Sequence, residues 1–248
     1  MMKDVITPPH TQHLYPYRWS LEDAVFTKDK GKVFSCFACG GGSTMGYKIA
    51  GYDVIGCNEI DPRMMKCYET NHHPQYSYLE DIRDLVKRNN LPEELYHLDI
   101  LDGSPPCSTF SMSGLREDAW GKIYYGEYAD YKGKPIGVKM RKLFEQRVAG
   151  DIALAEAYKK QTGKRGFFNQ QYLYENKVSY TLTTHADSII PFKQPIYLSR
   201  SEVCNISTFP QDYHFLNQSP HYICGMSVPP VMMAHVASRI WKYWLSKL

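Results

Sequence analysis

A glycine-rich turn between a strand and a helix is the feature that most constrains this fold. The run Lys32–Phe37 predicts a buried strand, and it leads directly into the glycine-rich segment Ala38–Gly46. Tyr47–Gly51 then predicts the start or body of a helix. Strand, glycine turn and helix open dinucleotide-type folds, in which backbone N–H groups approach a ligand at a helix N-terminus. Glycines also make ordinary turns, so other signals must support this one.

The second strand–helix unit supplies such a signal. Tyr52–Glu59 predicts a strand that ends in an acid, and Asp61 predicts the cap of a helix that runs to about Asn71. Glu59 follows the glycines at roughly twenty residues, the separation expected of a carboxylate that binds ribose hydroxyls. The alternative interpretation is a solvated surface acid.

A third short unit, Tyr78–Asp84, contains Asp81. At the end of a strand, this side chain would accept a hydrogen bond from an adenine amino group. It would equally cap a helix over Arg83–Asn89. The sequence leaves both interpretations open.

The fourth strand leads into two prolines and a cysteine. Leu98–Leu101 predicts the end of a buried strand, and Gly103 and Ser104 break it before Pro105, Pro106 and Cys107. Prolines stiffen the loop, and the carboxyl ends of strands are where open α/β sheets place their chemistry. Cys107 is therefore a candidate nucleophile, although a free cysteine is more often a small buried hydrophobe.

Composition sets wider limits. The chain has 248 residues, 22% of them charged and 43% hydrophobic, which predicts one large globular domain, alone or with a small appendage. A net charge of +3 permits an anionic partner without requiring one. The seven cysteines are an odd number, and no second pair follows Cys36 and Cys39 at zinc-site spacing. We expect no disulfide framework, no metal, no signal peptide, no membrane span and a cytoplasmic location.

Taken in order, these blocks resemble the DNA cytosine-5 methyltransferase family. The resemblance covers roughly residues 32–118 and 180–247. Its blocks are Phe37 with Gly40–Gly42, Asn58–Asp61, Asp81–Ile82, Gly103–Ser111, Leu198–Tyr213, and Gly225–Pro230 followed by Ala234.

The resemblance implies an α/β, Rossmann-like, S-adenosylmethionine-dependent methyltransferase fold with a small target-recognition region. It implies an enzyme that methylates C5 of a cytosine flipped out of double-stranded DNA, in restriction–modification or phage DNA modification, and we expect a monomer. Cys107 would attack cytosine C6, and Ser111 would lie near the phosphates or the flipped base. The implied cofactor-binding residues are Phe37, Gly41, Gly42, Glu59, Ile60, Asp81, Ile82, Ser227 and Val228.

The implied domains are an N-terminal arm (1–31), the first part of the catalytic domain (32–121), a target-recognition region (122–180) and a C-terminal segment completing the catalytic domain (181–248). Within 122–180, basic and aromatic residues interleave, which suits contact with DNA or simply a solvated lysine-rich face. A helix is predicted over Asp151–Gln161, with Asp151 as its cap, Gly163 as its stop and Ile152–Ala155 as its buried end.

The sequence also departs from the family. Cys39 stands where a loop glycine is expected, Ser108 where glutamine is common, and Met226 where asparagine is usual. The Glu-Asn-Val strand and the Gln-x-Arg-x-Arg strand are missing after Cys107. We interpret Glu175–Lys177, in an exposed loop or edge strand, and Gln146–Arg147, in a helix, as coincidental matches.

Ending the sheet at the fourth strand should expose an apolar edge. We therefore favour an internal segment missing near 121–123 over a trimmed homologue that dimerises or is catalytically dead. The alternative functions are a homologue that binds DNA and cofactor without turnover, and an RNA cytosine-5 methyltransferase.

Overall fold

A four-stranded parallel sheet forms the centre of the main domain. The computed structural model describes residues 15–103, 123–164, 166, 170–185 and 187–248. The strands lie in the order β3-β2-β1-β4. They are β1 (Lys32–Cys36), β2 (Asp53–Glu59), β3 (Tyr76–Leu79) and β4 (Ile100–Gly103). Parallel strands linked by helices confirm the predicted α/β, Rossmann-like architecture.

The first three helices follow their strands. They are α1 (Gly42–Ile49), α2 (Pro62–His72) and α3 (Ile82–Leu85). Helix α1 begins at Gly42, so the stretch from Tyr47 is the body of the helix rather than its start, and Gly42 and Gly46 are helical despite their low helix propensity. Helix α2 has the predicted Asp61 cap, whose side chain accepts from the Arg63 N–H. Helix α3 ends at Leu85, so the prediction that it runs to Asn89 was wrong.

The second half of the chain contains two more strands and five more helices among the described residues. In chain order they are α4 (Val138–Phe144), α5 (Leu154–Thr162), β5 (Gln171–Leu173), β6 (Ile189–Pro191), α6 (Arg200–Ser207), α7 (Pro220–Met226) and α8 (Pro230–Tyr243). Short 3₁₀ turns cover Glu93–Tyr96, Tyr125–Glu127 and Leu245–Lys247.

Residues 134–197 include a small unit with its own core. Helices α4 and α5 pack on the parallel pair β5–β6. The core comprises Ile136, Leu143, Phe144, Leu154, Ala157, Tyr172 and Ile190. Residue 180, where we expected the recognition region to end, falls between β5 and β6. We therefore propose that the region extends to Tyr197.

Helix α5 corrects part of its prediction. Ala153, not Asp151, is the N-cap, because the Asp151 carboxylate accepts from the Val148 N–H and pairs with Lys160. Ile152 is 62% exposed and does not join the buried end, whereas Leu154 is fully buried. The predicted stop at Gly163 is confirmed, with a left-handed backbone.

The two family look-alikes lie outside regular structure. Gln146 and Arg147 follow the end of α4, so their predicted helical placement was wrong by two residues. Glu175, Asn176 and Lys177 lie exposed in a turn after β5, as expected for a loop or edge position.

The small unit joins the main domain through a two-strand neck. Pro135 and Ile196 form an antiparallel bridge, and the flanking backbone bonds are 3.0 Å (Ile136 N–H to Pro195 O) and 2.8 Å (Tyr197 N–H to Lys134 O). Beside the neck, the fully buried Glu202 carboxylate accepts from the Tyr125 hydroxyl at 2.6 Å and the Ser199 N–H at 2.7 Å. The entry and exit segments therefore share one anchor.

The β4 side of the sheet is open among the described residues. Strand β4 pairs with β1 on one side, and Leu101 is 69% exposed. This agrees with the exposed edge expected if the sheet stops at its fourth strand. Residues 104–122, which carry Cys107 and Ser111, follow β4 and lie outside the described residues.

The ends of the chain pack on the main domain. Helix α8 lies along α1, and the buried Tyr52 hydroxyl donates to the Ala237 carbonyl at 3.0 Å. In the arm, Trp19 Nε1 donates to the Thr208 carbonyl at 2.9 Å. No helix in the described ranges is long and apolar enough to cross a membrane. These ranges also hold no cluster of His, Cys, Asp or Glu side chains suited to a metal ion.

Candidate active site

Three of the predicted cofactor-binding residues lie at one edge of the sheet. Phe37 follows β1, Glu59 ends β2, and Asp81 follows β3 by two residues. Because all four strands are parallel, their carboxyl ends lie together. Gly103 ends β4 at this same edge, so the chain enters the Cys107 segment there. The positions of Cys107 and Ser111 themselves stay predictions.

Glycine is required at two positions in the loop before α1. Gly41 has φ of +72°, and a Cβ there would overlap the His72 ring. A Cβ on Gly42 would overlap the Val228 carbonyl oxygen. No side chain in the described ranges caps the N-terminus of α1, the end of a helix at which backbone N–H groups can bind a ligand.

Glu59 links this loop to β2. Its Oε2 accepts from the Cys39 N–H at 2.8 Å, and its Oε1 accepts from Ile60 at 2.8 Å and Asp61 at 2.9 Å. The residue is only 9% exposed. A carboxylate has about four acceptor positions, so Oε2 keeps capacity for one more donor, such as a ligand hydroxyl. The backbone thus fixes the carboxylate in position before any ligand binds.

Asp81 is the N-cap of α3, which confirms one of its two interpretations. Its carboxylate accepts from the Arg83 N–H at 2.8 Å and pairs with the Arg83 guanidinium at 2.5 Å. These hydrogen bonds lower the pKa of Asp81 to about 2. An adenine amino group would have to share this carboxylate with Arg83, and that role stays a prediction.

Apolar residues follow both carboxylates in the chain. Phe37 and Ile82 are partly buried in one hydrophobic cluster with Phe34, Cys36 and Leu85. Ile60 differs, because it is 63% exposed directly beside Glu59. An exposed apolar side chain next to a buried carboxylate suits a ligand with a flat ring and a hydroxylated sugar.

The C-terminal segment covers the opposite side of the loop. Ser227 and Val228 follow α7 and pack against Gly42. The buried Tyr213 hydroxyl donates to the Gly40 carbonyl at 2.8 Å. The structure therefore brings the predicted residues of both chain halves together around one glycine loop.

Comparison with known families agrees with this arrangement. Residues 31–126 match the family model of the C-5 cytosine-specific DNA methylases. This segment belongs to that family. The methylase segment contains the glycine loop, Glu59, Asp81 and Cys107.

Two relatives of the methylase segment are bacterial type II methyltransferases. It is 37% identical over 97 residues to the type II methyltransferase M.FnuDI of Fusobacterium nucleatum, covering 38% of this chain and 26% of that protein. It is 32% identical over 106 residues to M.NgoPII of Neisseria gonorrhoeae, covering 42% and 30% respectively. The chain therefore matches less than a third of the length of either relative.

The fold likeness extends beyond the methylase segment. A crystal structure of a protein assigned as a prophage-encoded DNA modification methyltransferase (E. coli) aligns with 85% of this chain and 98% of its own length. The TM-score is 0.51 at 14% identity, which supports a shared fold.

Two residues between β1 and α1 have a strained backbone. Phe37 and Cys39 have φ of 54° and 45°, in the left-handed region that non-glycine residues rarely adopt. The departure at Cys39 therefore places a side chain where a glycine would relieve strain. Burial raises the pKa of the Cys39 thiol to about 11, which keeps it protonated and poorly nucleophilic.

Three supporting residues were missed as such by the sequence analysis. The Asn58 amide donates to the carbonyls of Tyr78 at 3.1 Å and Glu80 at 2.8 Å, which fixes the chain leading to Asp81. His72 backs Gly41, and Tyr213 holds Gly40. Asn58 lies within the Asn58–Asp61 block and Tyr213 ends the Leu198–Tyr213 block, whereas no local pattern marks His72.

Proposed function

We propose that this chain transfers a methyl group from S-adenosylmethionine to C5 of cytosine in duplex DNA through a covalent Cys107 adduct. The observation that carries this proposal is the convergence of the methylase segment at one sheet edge. There the backbone-held Glu59 carboxylate bonds the glycine loop, and β4 leads into the Cys107 segment. The type II relatives support a role in restriction–modification or phage DNA modification, in the cytoplasm.

The described residues fit the cofactor. The uncapped end of α1 offers N–H donors, and the glycines leave room for a close approach. Glu59 Oε2 would accept a ribose hydroxyl, Asp81 would accept from the adenine amino group, and Ile60 and Ile82 would contact its ring. S-adenosylmethionine, when bound there, supplies an activated methyl group.

Cys107 would perform the covalent step. Its thiolate adds to cytosine C6, which forms an S–C6 bond and moves an electron pair towards C5. Carbon C5 would then take the methyl group as its bond to sulfur breaks, which leaves S-adenosylhomocysteine as the second product. Loss of the C5 proton to water restores the ring and releases the thiolate. Since a base stacked in a duplex is out of reach, the cytosine must be flipped out.

The small unit and the segment that enters it supply a basic surface for DNA. Five cations within α4 or shortly before it in the chain are exposed, and none of them forms an ion pair with the residues described. Such side chains neutralise phosphates and would orient the duplex. They are Lys132, Lys134, Lys139, Arg141 and Lys142.

Covalent trapping tests the proposal. The purified chain and S-adenosylmethionine are incubated with duplex DNA carrying 5-fluorocytosine, in which the C5 fluorine cannot leave as a proton does. We expect a stable protein–DNA adduct with wild type and none with Cys107→Ala. Calorimetry should show that Cys107→Ala still binds the cofactor.

Parallel incubations contain ordinary cytosine DNA and a structured RNA carrying 5-fluorocytosine. An adduct with RNA alone would contradict the choice of substrate. Cofactor binding with no adduct on any substrate would contradict turnover and favour a non-catalytic binder.

A further inference from the structure

A pocket in the small unit combines aromatic and charged walls. Its volume is about 500 Å³, within the usual range for ligand-binding clefts. It lies next to the β5–β6 pair, on the unit that carries the exposed cations. The lining residues are Arg147, Tyr174, Glu175, Asn176, Phe192 and Lys193.

One wall of the pocket is a rigid stack. The Arg147 guanidinium lies 3.8 Å from the centre of the Phe144 ring, and its Nε donates to the Phe192 carbonyl at 2.7 Å. Phe192 stacks on Tyr174 with ring centres 4.3 Å apart and an angle of 19°. Each side chain in this wall is therefore held by a neighbour.

The other wall is held by a carboxylate. Glu175 Oε1 accepts from the Tyr131 hydroxyl at 2.5 Å and pairs with the Lys193 ammonium at 3.0 Å. These bonds lower the pKa of Glu175. Lys193 nevertheless remains more than half exposed, so its ammonium can also meet a phosphate.

Among the lining residues, Asn176 is the one whose side chain is not held by a neighbour in the described part of the chain. It lies exposed at the tip of a β-turn that the Lys177 N–H closes onto the Tyr174 carbonyl at 3.0 Å. Asparagine usually occupies turns because its side chain bonds the nearby backbone or because it tolerates positive φ. Asn176 shows neither feature, since its amide makes no hydrogen bond to the described residues and its φ is not positive. The donor and the acceptor of this amide therefore face solvent, where a bound molecule can reach them.

We propose that Asn176 reads an adenine in the DNA recognition sequence, with Arg147 and Lys193 beside it at the sugar–phosphate backbone. This inference rests on the proposed function and specifies which residue gives it sequence preference. A side-chain amide presents a donor and an acceptor side by side, which match adenine N7 and N6 in the major groove. The two cations that line the same pocket would fix the position of the duplex without reading sequence.

The test is a binding selection that needs no catalysis. Immobilised full-length protein captures duplexes from a randomised pool, and bound DNA is sequenced. The variants are Asn176→Ala, Asn176→Asp and the control Asn90→Ala, which removes another exposed asparagine. Thermal unfolding checks that all of them fold.

We expect wild type and Asn90→Ala to enrich a motif with one adenine position. Asn176→Ala should lose that preference by about fivefold to more than a hundredfold, the range for one bidentate base contact. Asn176→Asp should shift it towards cytosine, whose amino group donates to a carboxylate. No motif with wild type, an unchanged motif with Asn176→Ala, or an equal loss for all sequences would overturn the inference.

The trapping experiment separates this result from the proposed chemistry. A trapped adduct together with an Asn176-independent motif leaves methylation standing and refutes the reading role. An Asn176-dependent motif without any adduct supports the reading role and refutes turnover.

Discussion

Replacing Gly41 with alanine tests how the glycine loop is built. At φ of +72°, an alanine costs about 1 kcal/mol relative to glycine. The new Cβ would also overlap the His72 ring, which is buried and lies 4.6 Å from the Tyr68 ring. Overpacking of this kind costs about 1–3 kcal/mol, so the total destabilisation should be about 2–4 kcal/mol.

Gly163→Ala is the matched control. Gly163 has nearly the same φ, +69°, but a Cβ there meets nothing within 4 Å. The backbone strain and the change in unfolded-state entropy are therefore similar in the two variants. Urea unfolding should show a loss of about 1 kcal/mol for Gly163→Ala and at least about 1 kcal/mol more for Gly41→Ala.

A double-mutant cycle with His72→Ala identifies the collision. Removing the ring should relieve the Gly41→Ala penalty, which gives a coupling energy of about 1 kcal/mol or more. Calorimetry should also show weaker S-adenosylmethionine binding by Gly41→Ala than by Gly163→Ala. Equal destabilisation by the two alanines, or zero coupling with His72→Ala, would refute this account of the loop.

Two further predictions concern buried polar groups. Burial lowers the pKa of His72 from 6.5 to about 3, so between these two pH values the imidazole is protonated in the unfolded chain and neutral in the folded chain. The contribution of His72 to the free energy of unfolding is therefore fully present above pH 6.5, and it is lost by about 1.4 kcal/mol per pH unit as the pH drops towards 3. Urea unfolding at about pH 7.5 and about pH 5 should show that the free energy of unfolding changes by about 2 kcal/mol less in His72→Gln than in wild type. Equal changes in the two proteins would contradict this role of His72. Glu202→Ala should lower the free energy of unfolding by more than about 3 kcal/mol, because it leaves the buried Tyr125 hydroxyl and several N–H donors without an acceptor. Glu175→Ala, which removes an exposed carboxylate, should lower it by about 1 kcal/mol or less. Similar losses for Glu202→Ala and Glu175→Ala would contradict the anchoring role.

The sequence predicted the parts of the fold that depend on local pattern. The strands β1 and β2 and the Asp61 cap follow from apolar runs and capping chemistry, which act within a few residues. Strand β4 lies two residues later than predicted, because pairing with β1, which matches Val33 with Ile100, sets its register. The pairing between β1 and β4 therefore sets the bounds of β4, which the local sequence pattern does not show.

The same division applies to the candidate site. Glu59 was predicted from its spacing after the glycines and Asp81 from its place at a strand end, and both lie at the carboxyl edge of the parallel sheet. His72 and Tyr213 act through contacts with Gly41 and Gly40 that join distant parts of the chain, so no spacing in the sequence indicates them.

The neck between the small unit and the main domain has a consequence for engineering. The backbone leaves at Lys134 and returns at Tyr197, and these two residues are joined by a 2.8 Å hydrogen bond. Topologically, the small unit is a long insertion in a hairpin, and a short turn across the neck would close the chain without it. The segment beyond the neck can thus be exchanged as a cassette, provided that the stem and the Glu202 carboxylate beneath it are kept.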